Sequence, residues 1–268
     1  MPFASTNGVR LSYQRSGHGE PVLLISGTGA AGRVWTLHQT PALHRAGFET
    51  ITFDNRGIAP SDAPPGRYSL ADMVSDAKGL IEALDLAPCR IVGTSLGSAI
   101  AQELAIGWPH LVRSAVLLAT RARSDVFRRA QTDAGLALLS SGVKLSPRHV
   151  AVRTAAEMLS PATLNNDQAA AGWLDILELS GGSGVAEGQH WLDSDLLRDR
   201  RTELGRISVP CRAIAFADDV ICPPHLVAEV AEAIPDCDYV EIPDCGHLGN
   251  LEHPEAVNAA ITEFFDKN

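Results

Sequence analysis

The sequence predicts an α/β protein with a mostly parallel central sheet, helices on both faces, and a helical insert. Three observations predict it. Short continuous apolar runs alternate with runs of helical periodicity, the pattern of strands covered on both faces by crossover helices. One apolar run passes through Gly93-Thr94-Ser95-Leu96-Gly97 directly into a helical run, Ser98 to Ala105, which reads as strand, sharp turn, helix. From Arg121 to about Arg206 the periodicity is helical only, so this stretch interrupts the alternation. The expected organisation is an α/β core of residues 1–120 and 207–268, with residues 121–206 as an inserted cap.

Each element has a local reason. Asn7-Gly8 is a turn dipeptide followed by the alternating Val9 to Tyr13, which predicts an opening hairpin. Ser16-Gly17-His18-Gly19 reads as a loop, and Pro21 to Ile25 as a buried strand. A glycine-rich loop, Ser26 to Gly32, precedes a helix expected over Val34–Ala46, in which Trp35 packs inward. Phe48 to Phe53 is a strand, followed by the polar loop Asp54 to Asp62, where Asp54 and Arg56 are expected to pin the chain. Ser69 or Asp72 caps a helix whose apolar face is Met73, Ala77, Leu80, Ile81 and Leu84. After the elbow, Trp108-Pro109 breaks the pattern and Val112 to Ala119 is a further strand. The insert is read as helices near 125–140, 147–159, 167–179 and 190–204, with Ser180-Gly181-Gly182-Ser183-Gly184 as a joint. Strands at Val209–Ala217 and Asp238–Ile242 then alternate with helices at Pro224–Ala233 and Pro254–Phe265.

Bulk properties narrow the function. At 268 residues and 45% hydrophobic content the chain can bury a large core. The formal net charge of −10, from 22 basic and 32 acidic residues, argues against nucleic acid or an anionic membrane as partner. A small-molecule substrate is expected, and a homo-oligomer is left open. No apolar run spans a bilayer, and Met1 to Thr6 lacks the charge and hydropathy of a signal peptide. With five cysteines and no C-x-x-C pair, the expectation is reduced thiols in a cytoplasmic protein.

The chemistry gathers at strand ends. The turn thrusts Ser95 to the start of a helix, where free N–H groups favour negative charge. A serine hydroxyl needs a base, and the base needs a partner to fix its tautomer. Two later loops follow strands: Asp218-Asp219, and Asp244-Cys245-Gly246-His247. Ser95, Asp219 and His247 fall in the chain order that a nucleophile elbow requires. Asp218 is a close rival for the acid and Asp125 a distant one. The oxyanion would be held by the backbone N–H groups of Thr28 and Leu96. Gly27, Gly29 and Gly32 also spell G-x-G-x-x-G, with Asp54 where a ribose-binding acid would sit, so a dinucleotide site competes. No metal or cofactor is called for by the Ser-His-Asp reading.

These stretches resemble the α/β-hydrolase superfamily from the first hairpin to the last helix. Leu24 to Gly29 and on to Trp35 is similar to its His-Gly oxyanion loop, with Ser26 in place of histidine. Asp54-x-Arg56-Gly57-x-Ala59-x-Ser61 is similar to its Asp-x-Arg-Gly-x-Gly-x-Ser loop, with Ala59 for a glycine. Phe216 to Asp219 is similar to its Gly-x-x-Asp loop, a register that favours Asp219 as the acid. Gly246-His247 with Glu252-x-Pro254 is similar to its histidine loop and final helix. The resemblance implies an α/β-hydrolase fold with a cap. A serine at the elbow excludes the branches that use a carboxylate nucleophile, and leaves esterases, lactonases, thioesterases, C–C hydrolases and cofactor-free haloperoxidase-like members.

The expected function is a serine hydrolase cleaving an ester, lactone or thioester of a small, largely apolar substrate. Trp173, Leu177 and Trp191, with Leu174, Ile176 and Leu179, are the apolar cap residues expected to roof the pocket. Cys222 and Cys245 flank the acid and base loops, so a bulky thiol reagent is expected to slow the enzyme. The alternatives are a non-hydrolytic cyclase or peroxidase-like enzyme, a ligand-binding protein and a nicotinamide enzyme.

Overall fold

The computed structural model describes residues 1–180, 188–189, 192 and 196–268. Eight strands form one sheet: β1 (Phe3–Thr6), β2 (Val9–Gly17), β3 (Glu20–Ile25), β4 (Phe48–Phe53), β5 (Cys89–Thr94), β6 (Val112–Leu118), β7 (Cys211–Phe216) and β8 (Cys237–Ile242). Their order is β1-β2-β4-β3-β5-β6-β7-β8. The β1–β2 and β2–β4 pairs are antiparallel, and every pair from β4 through β8 is parallel. The chain runs from β3 outward to β4, then returns to place β5 on the other side of β3. That reversal opens a crevice beyond the carboxyl ends of β3 and β5, the place where open α/β sheets bind ligands.

The unbroken apolar runs have a simple cause. Along β3, Leu23 and Ile25 enter one core while Val22 and Leu24 enter the other. In β5 and β6, Ile91, Ala115 and Leu117 alternate with Val92, Val116 and Leu118 in the same way. Helices α2 (Leu70–Ala83) and α3 (Leu96–Gly107) cover the first face, with Met73, Leu80, Ile100 and Leu104 buried. Helix α1 (Gln39–Arg45) and the C-terminal helix Pro254–Lys267 cover the second, with Leu43, Ile261 and Phe264 buried. Ser69 starts α2 with a capping box: its hydroxyl accepts from the Asp72 N–H and the Asp72 carboxylate accepts from the Ser69 N–H.

The helix expected over Val34–Ala46 is instead a 3-10 turn, Gly32–Trp35, followed by the shorter α1. Pro41 is the reason. It lacks an N–H, so it fits the first turn of α1 but not the middle of a longer helix. Trp35 is fully buried in the second core.

Between β6 and β7 lie α4 (Val126–Ser140), α5 (Pro147–Met158), the short α6 (Pro161–Leu164) and α7 (Asp167–Ser180). Three of these fall where the periodicity predicts them; α6, one turn capped by Ser160, was missed. Of the helix expected over 190–204, Leu192 and Arg201–Leu204 are helical and 196–200 are not, while 190–191 and 193–195 lie outside the described residues. The Arg200 guanidinium is buried on α3, donating to Gln102 and Glu103, and its N–H bonds the Ala122 carbonyl. Gly181 to Gly184 of the expected joint lie outside the described residues. Among those described, no helix is long and apolar enough to cross a membrane.

Candidate active site

Ser95 sits at the end of β5 and is the N-cap of α3, with φ 54° and ψ −116°. That backbone is strained for a residue with a Cβ and costs about 1–3 kcal/mol. Its neighbours hold it there. The Ser95 N–H donates to the Leu118 carbonyl at 3.0 Å. The Ser98 hydroxyl lies 2.7 Å from both the Gly93 and Leu118 carbonyls. Gly97 is required by close approach, because a Cβ there would sit 2.0 Å from the Ile25 carbonyl oxygen. The Leu96 N–H belongs to the first turn of α3 and so has no intrahelical acceptor.

The acid and the imidazole meet. His247 Nδ1 lies 2.7 Å from Asp219 Oδ2, and both residues are buried. The other carboxylate oxygen accepts from the N–H groups of Ile221 (2.7 Å) and Cys222 (2.8 Å). Burial opposes the charge on Asp219, but His247 and these two amides outweigh it and hold the carboxyl below its usual range. An ionised Asp219 can only accept, so Nδ1 carries the proton and Nε2 is left as an acceptor. Asp218 makes no hydrogen bond to His247; its backbone N–H bonds the Cys245 carbonyl, and Asp125 caps α4 and pairs with Arg128.

A cavity of about 260 Å³ opens beside Ser95 and Thr28. Cys222 joins it to the acid–imidazole pair: Cys222 lines the cavity, and its sulfur lies within 4.8 Å of ligand atoms of Asp219 and His247. Those three groups have metal-ligand chemistry, but the carboxylate already accepts from two amides and the imidazole. The Arg121 guanidinium, 3.8 Å from the Cys222 sulfur, adds a positive charge where a cation would lie. The donor set fits a hydrogen-bonded pair better than a metal.

The glycine-rich loop is explained by packing. A Cβ on Gly32 would strike the Phe53 carbonyl at 2.6 Å, and the Gly32 N–H donates to Asp54 at 2.8 Å. Asp54 is thereby tied to this loop and not to a ribose. Ser61 donates to the Asp54 carbonyl and Asn55 to the Ser26 carbonyl, so the polar loop pins the chain as expected. Sequence reasoning missed Gln189. Its carbonyl oxygen accepts from the Gly29 N–H (2.8 Å) and its amide donates to the Arg56 carbonyl (2.7 Å), bracing the Thr28 loop. No local pattern marks it, since it lies 160 residues from Gly29.

Three expectations are corrected. Among the described residues the roof comes from α4 and α5, through residues such as Gln131, Leu136 and Glu157, rather than from α7. Trp173 and Leu177 are half-buried on α7, which packs on α5, outside the cavity wall; Trp191 lies outside the described residues. The cavity is not largely apolar either, because Arg121, Arg128 and Arg153 line it. These arginines are scattered over 33 positions of sequence and converge only through the cap helices. Finally, Cys245 is fully buried, and burial pushes its thiol up to about 12, so it offers a reagent almost no thiolate.

A parallel sheet in this strand order, with a strand–elbow–helix at its centre, defines the class as the α/β-hydrolase fold. The chain belongs to the alpha/beta hydrolase family, whose family model matches residues 20–254. It is 44% identical over 257 residues to the candidate non-heme bromoperoxidase BpoC of Mycobacterium tuberculosis H37Rv, covering 96% of this chain and 98% of that one. The crystal structure of that protein superposes with a TM-score of 0.90, over 96% of each chain. The candidate carbamate hydrolase RutD of Azorhizobium caulinodans is 28% identical over 98% of both chains. An enol-lactonase from Burkholderia xenovorans, at 23% identity and a TM-score of 0.83 over 99% of this chain and 100% of that one, shares the fold.

Proposed function

We propose that the chain is a serine hydrolase acting on a carboxylic ester, lactone or thioester of a small substrate. Ser95 attacks the carbonyl carbon. His247 Nε2 takes the hydroxyl proton and returns it to the leaving group, and Asp219 holds the imidazole in that tautomer. The N–H groups of Thr28 and Leu96 receive the oxyanion, each donor contributing ~3 kcal/mol to the transition state. Water, activated by His247, then releases the acyl group. The observation that carries this reading is the buried 2.7 Å contact between His247 Nδ1 and Asp219, beside a cavity that holds Ser95 on a strained elbow.

The test is labelling with a neutral fluorophosphonate, scored by intact mass, together with turnover of short esters. Wild type should take one adduct; Ser95→Ala should take none and lose on the order of 10⁴-fold or more in ester turnover. Adduct formation that persists in Ser95→Ala would overturn the assignment. The likeness to BpoC favours one second reading, a peroxidase-like use of the same acyl-enzyme. Hydrogen peroxide in place of water would release a peracid and regenerate the Ser95 hydroxyl. Peroxide-dependent product that survives Ser95→Ala would exclude that route.

A further inference from the structure

The cavity carries a charge that the hydrolytic steps do not use. Of its three guanidiniums, two have a carboxylate partner: Arg128 pairs with Asp125 at 3.0 Å and Arg153 with Glu157 at 2.8 Å. Arg121 makes no ion pair among the described residues. It leaves the end of β6 and lies across the acid loop, donating to the Ile221 carbonyl at 3.1 Å with the Cys222 sulfur at 3.8 Å. Its Nε is buried without an acceptor among the described residues, and so is that of Arg128. A half-buried cation with no carboxylate partner among the described residues is ready for an anion. The anion must be small, since the cavity of about 260 Å³ falls just below the usual ~300–1,000 Å³ of ligand pockets. With one guanidinium uncompensated among the described residues, a monoanion balances the charge, which favours a carboxylate over a phosphate dianion.

We propose that the cavity takes a substrate bearing a carboxylate, such as a half-ester of a short dicarboxylic acid, anchored by Arg121 with Arg128 as the second donor. The proposal rests on the reading of Ser95 as the reacting group. The anchor holds the far end of the substrate while the ester carbonyl lies at Ser95, so recognition and reaction fall at opposite ends of one small molecule.

The test uses the full chain and two isosteric esters, monomethyl glutarate and methyl glutaramate, followed by proton release. Wild type should favour the carboxylate in kcat/KM by roughly 10- to 100-fold. Arg121→Gln should bring that ratio toward one, and Arg121→Lys should recover part of it. Separately, calorimetry on Ser95→Ala should show glutarate binding that weakens with salt and is lost when Arg121→Gln is added. Ester turnover at a ratio of one, without glutarate binding, would overturn the carboxylate site and leave the hydrolase reading standing. Arg121-dependent glutarate binding without turnover of either ester would do the reverse. A ratio unchanged by Arg121→Gln, or neither turnover nor binding, would also overturn the proposal.

Discussion

At Ser95 the backbone sits at φ 54°, a conformation that glycine adopts freely and serine does not. Ser95→Gly should therefore raise the unfolding free energy by about 1 kcal/mol while abolishing fluorophosphonate labelling; urea denaturation checks the first and intact mass the second. A destabilised Ser95→Gly would mean that the elbow is not strained. Asp219 sets a pH dependence of known sign. Its folded carboxyl is held below its usual range, so its charge stabilises the fold above the unfolded value of about 3.9. That contribution is lost as pH falls through the folded value. The gap in urea midpoint between wild type and Asp219→Asn should close as pH falls below about 4. A gap that keeps its neutral-pH size down to about pH 2 would contradict the assignment of an ionised Asp219.

At the scale of elements, the site depends on bonds that join distant loops. Glu252 accepts from the Ser160 N–H and hydroxyl and the Thr163 hydroxyl through one oxygen, and from the Gly246 N–H through the other. It thus fastens the loop that presents His247 to the start of α6. Glu252→Ala should lower unfolding free energy by about 2–3 kcal/mol and slow the labelling of Ser95, with Glu252→Gln recovering part of both. Thermal unfolding and labelling rates measure the two effects; a stability loss with an unchanged labelling rate would remove Glu252 from the positioning of His247. Arg56 and Asp76 make a similar tie between the loop after β4 and α2, through two bonds of 2.5 and 2.6 Å. Both Glu252 and Arg56 belong to stretches legible as loop motifs, yet their partners are not, because Ser160 and Asp76 carry no local mark of the contact.

Across the whole molecule, the sheet and the helices between β6 and β7, the expected cap, are built to different standards. The strands β3, β5 and β6 are almost wholly buried, whereas α4 has no buried residue and leaves Val126 and Phe127 85% and 59% exposed. Arg128 and Arg129 tie α4 down through the Val220, Ser124 and Leu197 carbonyls. Local opening should therefore begin in the cap. In hydrogen exchange, α4 amides should lose protection on the order of 100-fold or more faster than those of β5 and β6. Equal protection would mean that cap and sheet open as one unit.

The sequence by itself determined the sheet, the elbow and the chain order of Ser95, Asp219 and His247. Those features are written in short-range signals: runs of apolar residues long enough for one strand, glycines where backbones touch, and turn residues at strand ends. The break at Pro41 is a short-range signal of the same kind, a missing N–H that only a first helical turn tolerates. Only the tertiary structure decided that His247 meets Asp219 rather than Asp218, that Gln189 braces the Thr28 loop, and that three separated arginines line the cavity. Each of these is a contact between side chains far apart in sequence. Their geometry is set by how the cap helices lie on the sheet, and no local periodicity encodes that.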